Sequence, residues 1–323
     1  MDYTAIIKEV GRGKNHARDL DRATAEALYG AMLDGNVPPL ALGAILIALR
    51  IKGEGEQELR GFYAAMQQRT LTLTPPANRP PPVVIPSYNG ARRQPNLTPL
   101  LALLLNRLGL PVVVHAVDDD PTRVTSMTLF ARLGIAPATD ARSAQVTLDR
   151  GDLLLLSVAT LCAPLADQLA LRWQMGVRNS AHTLAKLATP FAPQAALRVC
   201  SVSHPEYLPR IGNFIRDTGG RALVMHGTEG EVYANPQRCP QIALVDGAEP
   251  QVLLPRQPES GIVRAALPAE KDAAVTADWI ADCLARRVPV PHALRLQIAC
   301  CLMACGRAAS PEAGLAQLAE AGY

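Results

Sequence analysis

Aromatic residues are scarce: Phe, Tyr and Trp together make 4% of the 323 residues. So few rings argue against a surface whose binding is dominated by base stacking. Charged residues are also thin at 19%, below the usual quarter. Apolar residues reach 49%, enough to bury a substantial core in one large domain and a smaller one. No apolar run approaches the roughly 18 residues that a spanning helix needs. The opening "MDYTAIIKEVGRGK" lacks the apolar core of a signal peptide. A cytoplasmic protein with no membrane partner is therefore expected. The seven cysteines are odd in number and scattered, which is no disulfide framework. Cys300, Cys301 and Cys305 lie close together in "IACCLMACG", but no His or carboxylate joins them. Buried thiols are expected there rather than a metal site.

Acidic residues are missing from two long segments. Residues 59–117 contain no Asp or Glu and carry Arg60, Arg69, Arg79, Arg92, Arg93 and Arg107, a local charge of +6. Residues 168–205 again lack acids and carry Arg172, Arg178, Lys186 and Arg198, a charge of +4. The rest of a chain with formal charge +3 must then carry −7. Uneven charge speaks to partners, not to fold. Either the arginines are solvated one by one, or they meet in a basic surface.

The hydrophobic pattern changes once. Up to about residue 70 it is helical: Asp21 suits an N-cap, Gly35 a C-cap, Pro39 a helix start, and "EQELRGFYAAMQQR" repeats apolar residues at helical spacing. "TPPANRPPP" at 74–82 excludes regular structure, since proline lacks the amide proton, and reads as a linker. Beyond it, apolar strands such as "PVVVHAV", "DLLLLS", "LRVCSVS" and "RALVMHG" alternate with helical segments, which implies parallel pairing. The expected fold class is α/β. A small N-terminal all-helical domain (1–75), with helices from about 163–188 packing on it, precedes a larger α/β domain (76–323) with a mainly parallel central sheet.

The stretches "AMLDGNVPPLALGAILIALRIKGEGEQELRGFYAAM", "NLTPLLALLLNRLGLPVVVH", "GVRNSAHTLAKLATPFAP" and "GGRALVMHGTEGE" resemble the anthranilate phosphoribosyltransferase family over nearly the whole chain. The resemblance implies that family's fold, shared with nucleoside phosphorylases, and a homodimer through the N-terminal helices. Its functional motifs are altered. The family's Gly-Thr-Gly-Gly-Asp diphosphate loop falls on Pro86, Ser87, Tyr88, Asn89 and Gly90. Proline removes a donor there, and tyrosine brings a ring to a place where bare backbone must meet phosphate. The Lys-His-Gly-Asn-Arg motif falls on Val114, His115, Ala116, Val117 and Asp118, with Asp119 and Asp120 following. Acids there repel polyphosphate, and His115 alone reads as structural. The Asp-Glu pair that carries magnesium falls on Val232 and Tyr233, which offer no carboxylate. Glu229 and Glu231 nearby leave a displaced metal site open. Asn96 and Arg178 match the family, Arg178 at the arginine that faces the aromatic acid. No cofactor or metal is expected.

"GRGKNHARDLDR", "IPSYNGARRQPNLTP", "DPTRV" and "HGTEGEVYANPQRCPQI" resemble a DNA-binding branch of this family. That resemblance implies a homodimer without transferase activity that binds nucleic acid, DNA and also RNA, with little sequence preference. The residues expected to contact phosphates are Arg92, Arg93, Arg123, Arg178 and Lys186, joined by Arg12, Lys14 and Arg18 around Gly11 and Gly13. Forked guanidinium bonds suit phosphate. The "GRGKNHAR" stretch reads equally as an ordinary solvated loop. Two other readings stand beside this one: an active phosphoribosyltransferase or nucleoside phosphorylase with a remodelled site, and a scaffold for an acidic protein.

Overall fold

A computed structural model of the chain describes residues 1–13, 15–258, 266–268 and 272–323. The backbone divides into two compact units, Met1–Leu71 with Val158–Pro190, and Thr72–Ser157 with Phe191–Tyr323.

Four helices open the chain: α1 (Tyr3–Val10), α2 (Arg22–Leu33), α3 (Pro39–Lys52) and α4 (Glu56–Gln67). Asp2 and Asp21 cap α1 and α2 by accepting from the amides of Ala5 and Thr24, both at 3.0 Å, which satisfies donors that a helix start leaves open. α2 and α4 approach closely because Gly61 has no side chain; a Cβ there would lie 2.5 Å from the Arg22 carbonyl oxygen. Tyr29 and Phe62 stack in the resulting core at 4.9 Å between centroids. The fully buried Glu58 ties the first turn of α4 to its surroundings. It accepts from the amides of Leu20 and Gly55 and pairs with Lys52 Nζ at 2.6 Å.

The chain then enters the second unit with β1 (Val83–Ser87), α5 (Thr98–Arg107), β2 (Val112–Ala116), α6 (Ser126–Arg132), α7 (Ala141–Arg150) and β3 (Leu154–Ser157). It returns to the first unit for α8 (Val158–Ala170), α9 (Arg172–Met175) and α10 (Ala181–Ala185). α8 is bent at Cys162, beside Pro164. The second unit is completed by β4 (Leu197–Val202), α11 (Leu208–Asp217), β5 (Arg221–His226), β6 (Ile242–Asp246), β7 (Gln251–Leu254), α12 (Ala273–Leu284), α13 (His292–Ala304) and α14 (Pro311–Glu320).

The sheet runs β3-β2-β1-β4-β5-β6-β7. Its first five strands in that order are parallel, and β6 and β7 are antiparallel. The fold is thus a helical bundle plus an α/β unit with a mainly parallel sheet, as the alternating pattern predicts. Several elements had no reading in the sequence, among them α7, whose apolar stripe is narrow, α14, and the antiparallel pair β6 and β7. The ladder between β1 and β4 covers only Val83–Leu197 and Val84–Arg198. Beyond it the two strands part at their carboxyl ends, the place where open α/β sheets take ligands.

The proline-rich stretch has no regular structure and is held by hydrogen bonds: Pro82 O accepts from the Leu197 amide at 2.8 Å, and Thr74 bonds Gln145 through both its amide and its carbonyl. One expectation needs correction: the acid-free segments do not deliver all their arginines to the surface. Arg69 is chelated by Asp34 at 2.7 and 2.6 Å, Arg60 pairs with Glu56, Arg107 bonds the Leu284 carbonyl, and Arg198 is buried in β4. The cysteines are all buried as free thiols, and burial pushes Cys300 and Cys305 up to about 12.

Candidate functional site

At the parting of β1 and β4, the segment Pro86–Gly90 turns out of β1 and is buried throughout. Its amides are aimed at an anion, and the anion is part of the protein. Glu231, fully buried, sits on the turn after β5. Its carboxylate accepts from the amides of Asn89 and Gly90 at 2.9 and 2.8 Å, from Ser87 Oγ at 2.6 Å and from Thr98 Oγ1 at 2.9 Å. Behind Ser87 the bonds continue: Ser126 Oγ lies 2.7 Å from Ser87 Oγ, and Asn96 Nδ2 donates to Ser126 Oγ at 3.1 Å. Charge-assisted bonds of this kind are short and strong. Gly90, at φ +62, has no room for a Cβ, which would meet the Val124 carbonyl oxygen at 2.8 Å.

Glu229 closes the next part of the loop. Its carboxylate accepts from three consecutive amides, Arg92 at 3.2 Å, Arg93 at 2.8 Å and Gln94 at 3.0 Å. Successive amides of this sort form a nest for negative charge. Glu229 reaches it from a left-handed backbone at φ +53, unfavourable for a residue with a side chain. The Arg123 guanidinium turns inward, donating to Gly90 O at 3.2 Å and lying 4.0 Å from Glu229. Arg123 is therefore a strut of the loop and not an outward phosphate contact. The Arg92 and Arg93 side chains are exposed at the tip.

The remaining motif positions are packed as core. Tyr88 is buried, and its hydroxyl lies 2.7 Å from His115 Nδ1, so the ring fills the site against that histidine. Val232 and Tyr233 are buried, with Tyr233 donating to Pro95 O at 3.0 Å. Burial, together with the charge of Asp119, pushes Asp118 up. These residues do not fit magnesium. The positions of the acidic pair carry no oxygen acid, and Glu229 and Glu231 are surrounded by hydrogen-bond donors where a cation would need further acceptors. The displaced metal site left open by the sequence is corrected accordingly. Among the described residues no group of His, Cys, Asp and Glu forms a metal cage.

The other expected contact residues lie in the helical unit. Arg12 pairs with Glu9 at 2.9 Å, and exposed Arg18 lies 3.8 Å from the same carboxylate. Lys14 lies outside the described residues. Arg178 and Lys186 are partly buried around α10. The structure thus gathers Arg92, Arg93 and Arg123 on one loop of the α/β unit, and Arg178 and Lys186 around one helix of the bundle. Both of these, with Arg172, act on His182. Burial first, and then the charges of Arg178, Arg172 and Lys186, lower that imidazole to about 3. Its Nδ1 accepts from the Asn179 amide at 3.3 Å. Trp173, absent from the expected site, is 53% exposed with the Arg172 guanidinium 4.2 Å from its ring centroid.

Residues 4–70 match the family described as glycosyl transferase family, helical bundle domain. A protein of Escherichia coli (strain K12) named "Uncharacterized protein YbiB" is 60% identical over 99% of this chain and 100% of its own length. Anthranilate phosphoribosyltransferase of Methylocella silvestris is 26% identical, covering 94% of this chain and 86% of the enzyme. Among solved structures, anthranilate phosphoribosyltransferase of Thermus thermophilus superposes with a TM-score of 0.77 at 22% identity, over 99% of this chain and 94% of that one. The Saccharomyces cerevisiae enzyme in complex with PRPP and Mg reaches 0.74 at 13% identity, over 98% and 92%.

Two outcomes follow from the charges. Glu231→Gln removes the negative charge that four donors share; it should destabilise the α/β unit by about 3 kcal/mol, read as a lower midpoint in urea, and an unchanged midpoint would deny the cradle its structural role. His182 resists a proton in the native state that the unfolded chain accepts near pH 6.5. Its contribution is complete above that pH and is lost as pH falls towards 3. Between pH 6.5 and 5 the native protein should lose about 1.5 kcal/mol that a His182→Gln variant does not lose, measured by denaturation at each pH.

Proposed function

We propose that this chain, which belongs to the family of the Escherichia coli protein YbiB, binds nucleic acid through its phosphates, without sequence preference and without transferase chemistry. One observation carries the reading: the loop that would cradle a diphosphate is already filled by Glu231 and Glu229. A free diphosphate would have to displace two carboxylates from seven donors and then lie beside Asp118. The same turn raises Arg92 and Arg93 into solvent. Donors that face inward serve the fold, and guanidinium groups that face outward serve a partner. Phosphate contacts of that kind hold a strand in place but read no bases.

The cations of the bundle extend the reading. Arg172, Arg178 and Lys186 act together on His182, in a segment without acids. Arg12 and Arg18 lie beside Glu9, which cancels part of their charge. Arg123, bound inside the loop, drops out as a direct contact. The rival reading, an active phosphoribosyltransferase or phosphorylase, draws on Asn96, His115 and Arg178. Asn96 and His115 are buried and engaged in internal bonds, which favours a structural role for both.

A homodimer through the N-terminal helices belongs to the same proposal. On α3, Leu40 is 89% exposed, Ile47 38% and Ile51 61%. With Ala44 they recur at steps of four, three and four residues, the spacing of a helix-packing seam. A two-fold interface would cover that seam and double each basic cluster.

Affinity for a random-sequence duplex should fall with salt at a log–log slope of about −0.9 per phosphate contacted. Arg92→Ala with Arg93→Ala should weaken all sequences alike and reduce the slope by about 2. Binding that ignores salt would refute the proposal, and saturable heat with phosphoribosyl pyrophosphate and magnesium would favour the enzyme. Ile47→Asp should convert a dimer into monomers in sedimentation; a wild type already monomeric at micromolar concentration would remove the dimer.

A further inference from the structure

An acid beside an exposed arginine pair runs against the charge that a polyanion needs. Glu229 is that acid, and its contacts give it another part. Oε1 accepts from the amides of Arg93 at 2.8 Å and Gln94 at 3.0 Å, and Oε2 from the amide of Arg92 at 3.2 Å. The Glu229 carbonyl accepts from Asn89 Nδ2 at 3.2 Å. One residue therefore holds the loop on both sides of Gly90. The hold is itself fixed. Glu229 lies in a turn closed by Thr228 and Glu231, whose amides and carbonyls bond each other at 3.0 and 2.9 Å. Gly230, at φ +88, packs so closely that a Cβ there would collide with the Asn89 side chain. Arg123 braces the loop from the other side through Gly90 O.

With three amides turned to the carboxylate, the Arg92 and Arg93 side chains stand in solvent. On an untied loop these long side chains and their backbone would have to be ordered at the moment of binding. On a loop already fixed, part of that cost falls on folding instead. The charge of Glu229 is meanwhile taken up by its amides, with the Arg123 guanidinium 4.0 Å away and only 11% of the Glu229 side chain exposed. Its two effects on an approaching phosphate thus have opposite signs: the charge repels, and the fixed loop favours. We propose that Glu229 is a positioning residue for nucleic acid, fixing the backbone that presents Arg92 and Arg93, so that an acid at this place strengthens the binding of a polyanion. This rests on the nucleic-acid reading and adds the residue through which its arginine pair acts.

The test uses the full-length protein and a short duplex of random sequence at one salt concentration. Glu229→Gly suits the left-handed backbone, so the turn persists while all three amides lose their acceptor. Glu229→Gln keeps a carbonyl oxygen for Arg93 and Gln94 and drops the charge. Duplex affinity should fall about fivefold for Glu229→Gly and about twofold for Glu229→Gln, the reverse of what losing an acid does through charge alone. Glu206→Gln, which removes an exposed acid after β4, should bind no more weakly than wild type. Where Arg92→Ala and Arg93→Ala are already present, neither substitution of Glu229 should weaken binding further. Urea midpoints show which variants are folded; if Glu229→Gly is not, Glu229→Gln with and without the arginine pair decides. Affinity that is unchanged or raised by the Glu229 substitutions overturns the positioning role, and so does an equal loss without the arginine pair. A wild type that binds no duplex overturns the nucleic-acid reading itself.

Discussion

A buried carboxylate surrounded by amide and hydroxyl donors organises the α/β unit. Glu231 has no exposure to solvent and four hydrogen bonds, two from backbone amides and two from side-chain hydroxyls. A buried charge is tolerated only where such bonds replace its hydration. The donors come from β1, from the turn after it and from the start of α5, while the acceptor comes from the turn after β5. One side chain therefore fastens the two halves of the sheet at the point where β1 and β4 separate. Tyr88 bonds His115, Tyr233 the Pro95 carbonyl and Arg123 the Gly90 carbonyl around that fastening.

The arrangement explains how a fold shared with phosphoribosyltransferases can persist without that family's loop. The amides of such a turn cannot simply be left bare, because unsatisfied buried amides are costly. Here the requirement is met from within, and the left-handed backbone of Glu229 shows that some strain is accepted to meet it. Pro86, Tyr88 and Asn89 are compatible with this solution: Tyr88 is buried in the turn, and the amides of Asn89, Gly90, Arg92, Arg93 and Gln94 have their partners inside the chain.

Much of the fold was legible in the sequence. The switch from helical periodicity to alternating strands and helices, and the caps Asp21 and Pro39, depend on local chemistry that a single chain displays. The antiparallel end of the sheet was not legible, because β6 and β7 follow a turn-rich stretch with no periodic signal. At the site, the residue types themselves were legible: Pro86, Tyr88 and Val114 offer neither bare backbone nor charge to a phosphate. The partners of the loop amides were not. Glu229 and Glu231 lie about 140 residues from the amides they satisfy, and nothing in their spacing distinguishes an internal anion from a displaced metal ligand. Arg69 and Arg198 look like surface charge in sequence, yet one is chelated and the other buried, because ion pairing and burial are tertiary facts.

The helical unit is assembled from two pieces of chain, Met1–Leu71 and Val158–Pro190. On the ribosome, α1 to α4 emerge first and must wait while residues 72–157 of the neighbouring unit are made before α8 to α10 arrive to complete them. Contacts between such distant pieces slow folding, since a long loop must close before they form. During that interval the apolar flank of α2 that later receives α8 stands uncovered in the nascent protein. Translation speed through the first three strands thereby sets how long that flank is open to chaperones or to other chains.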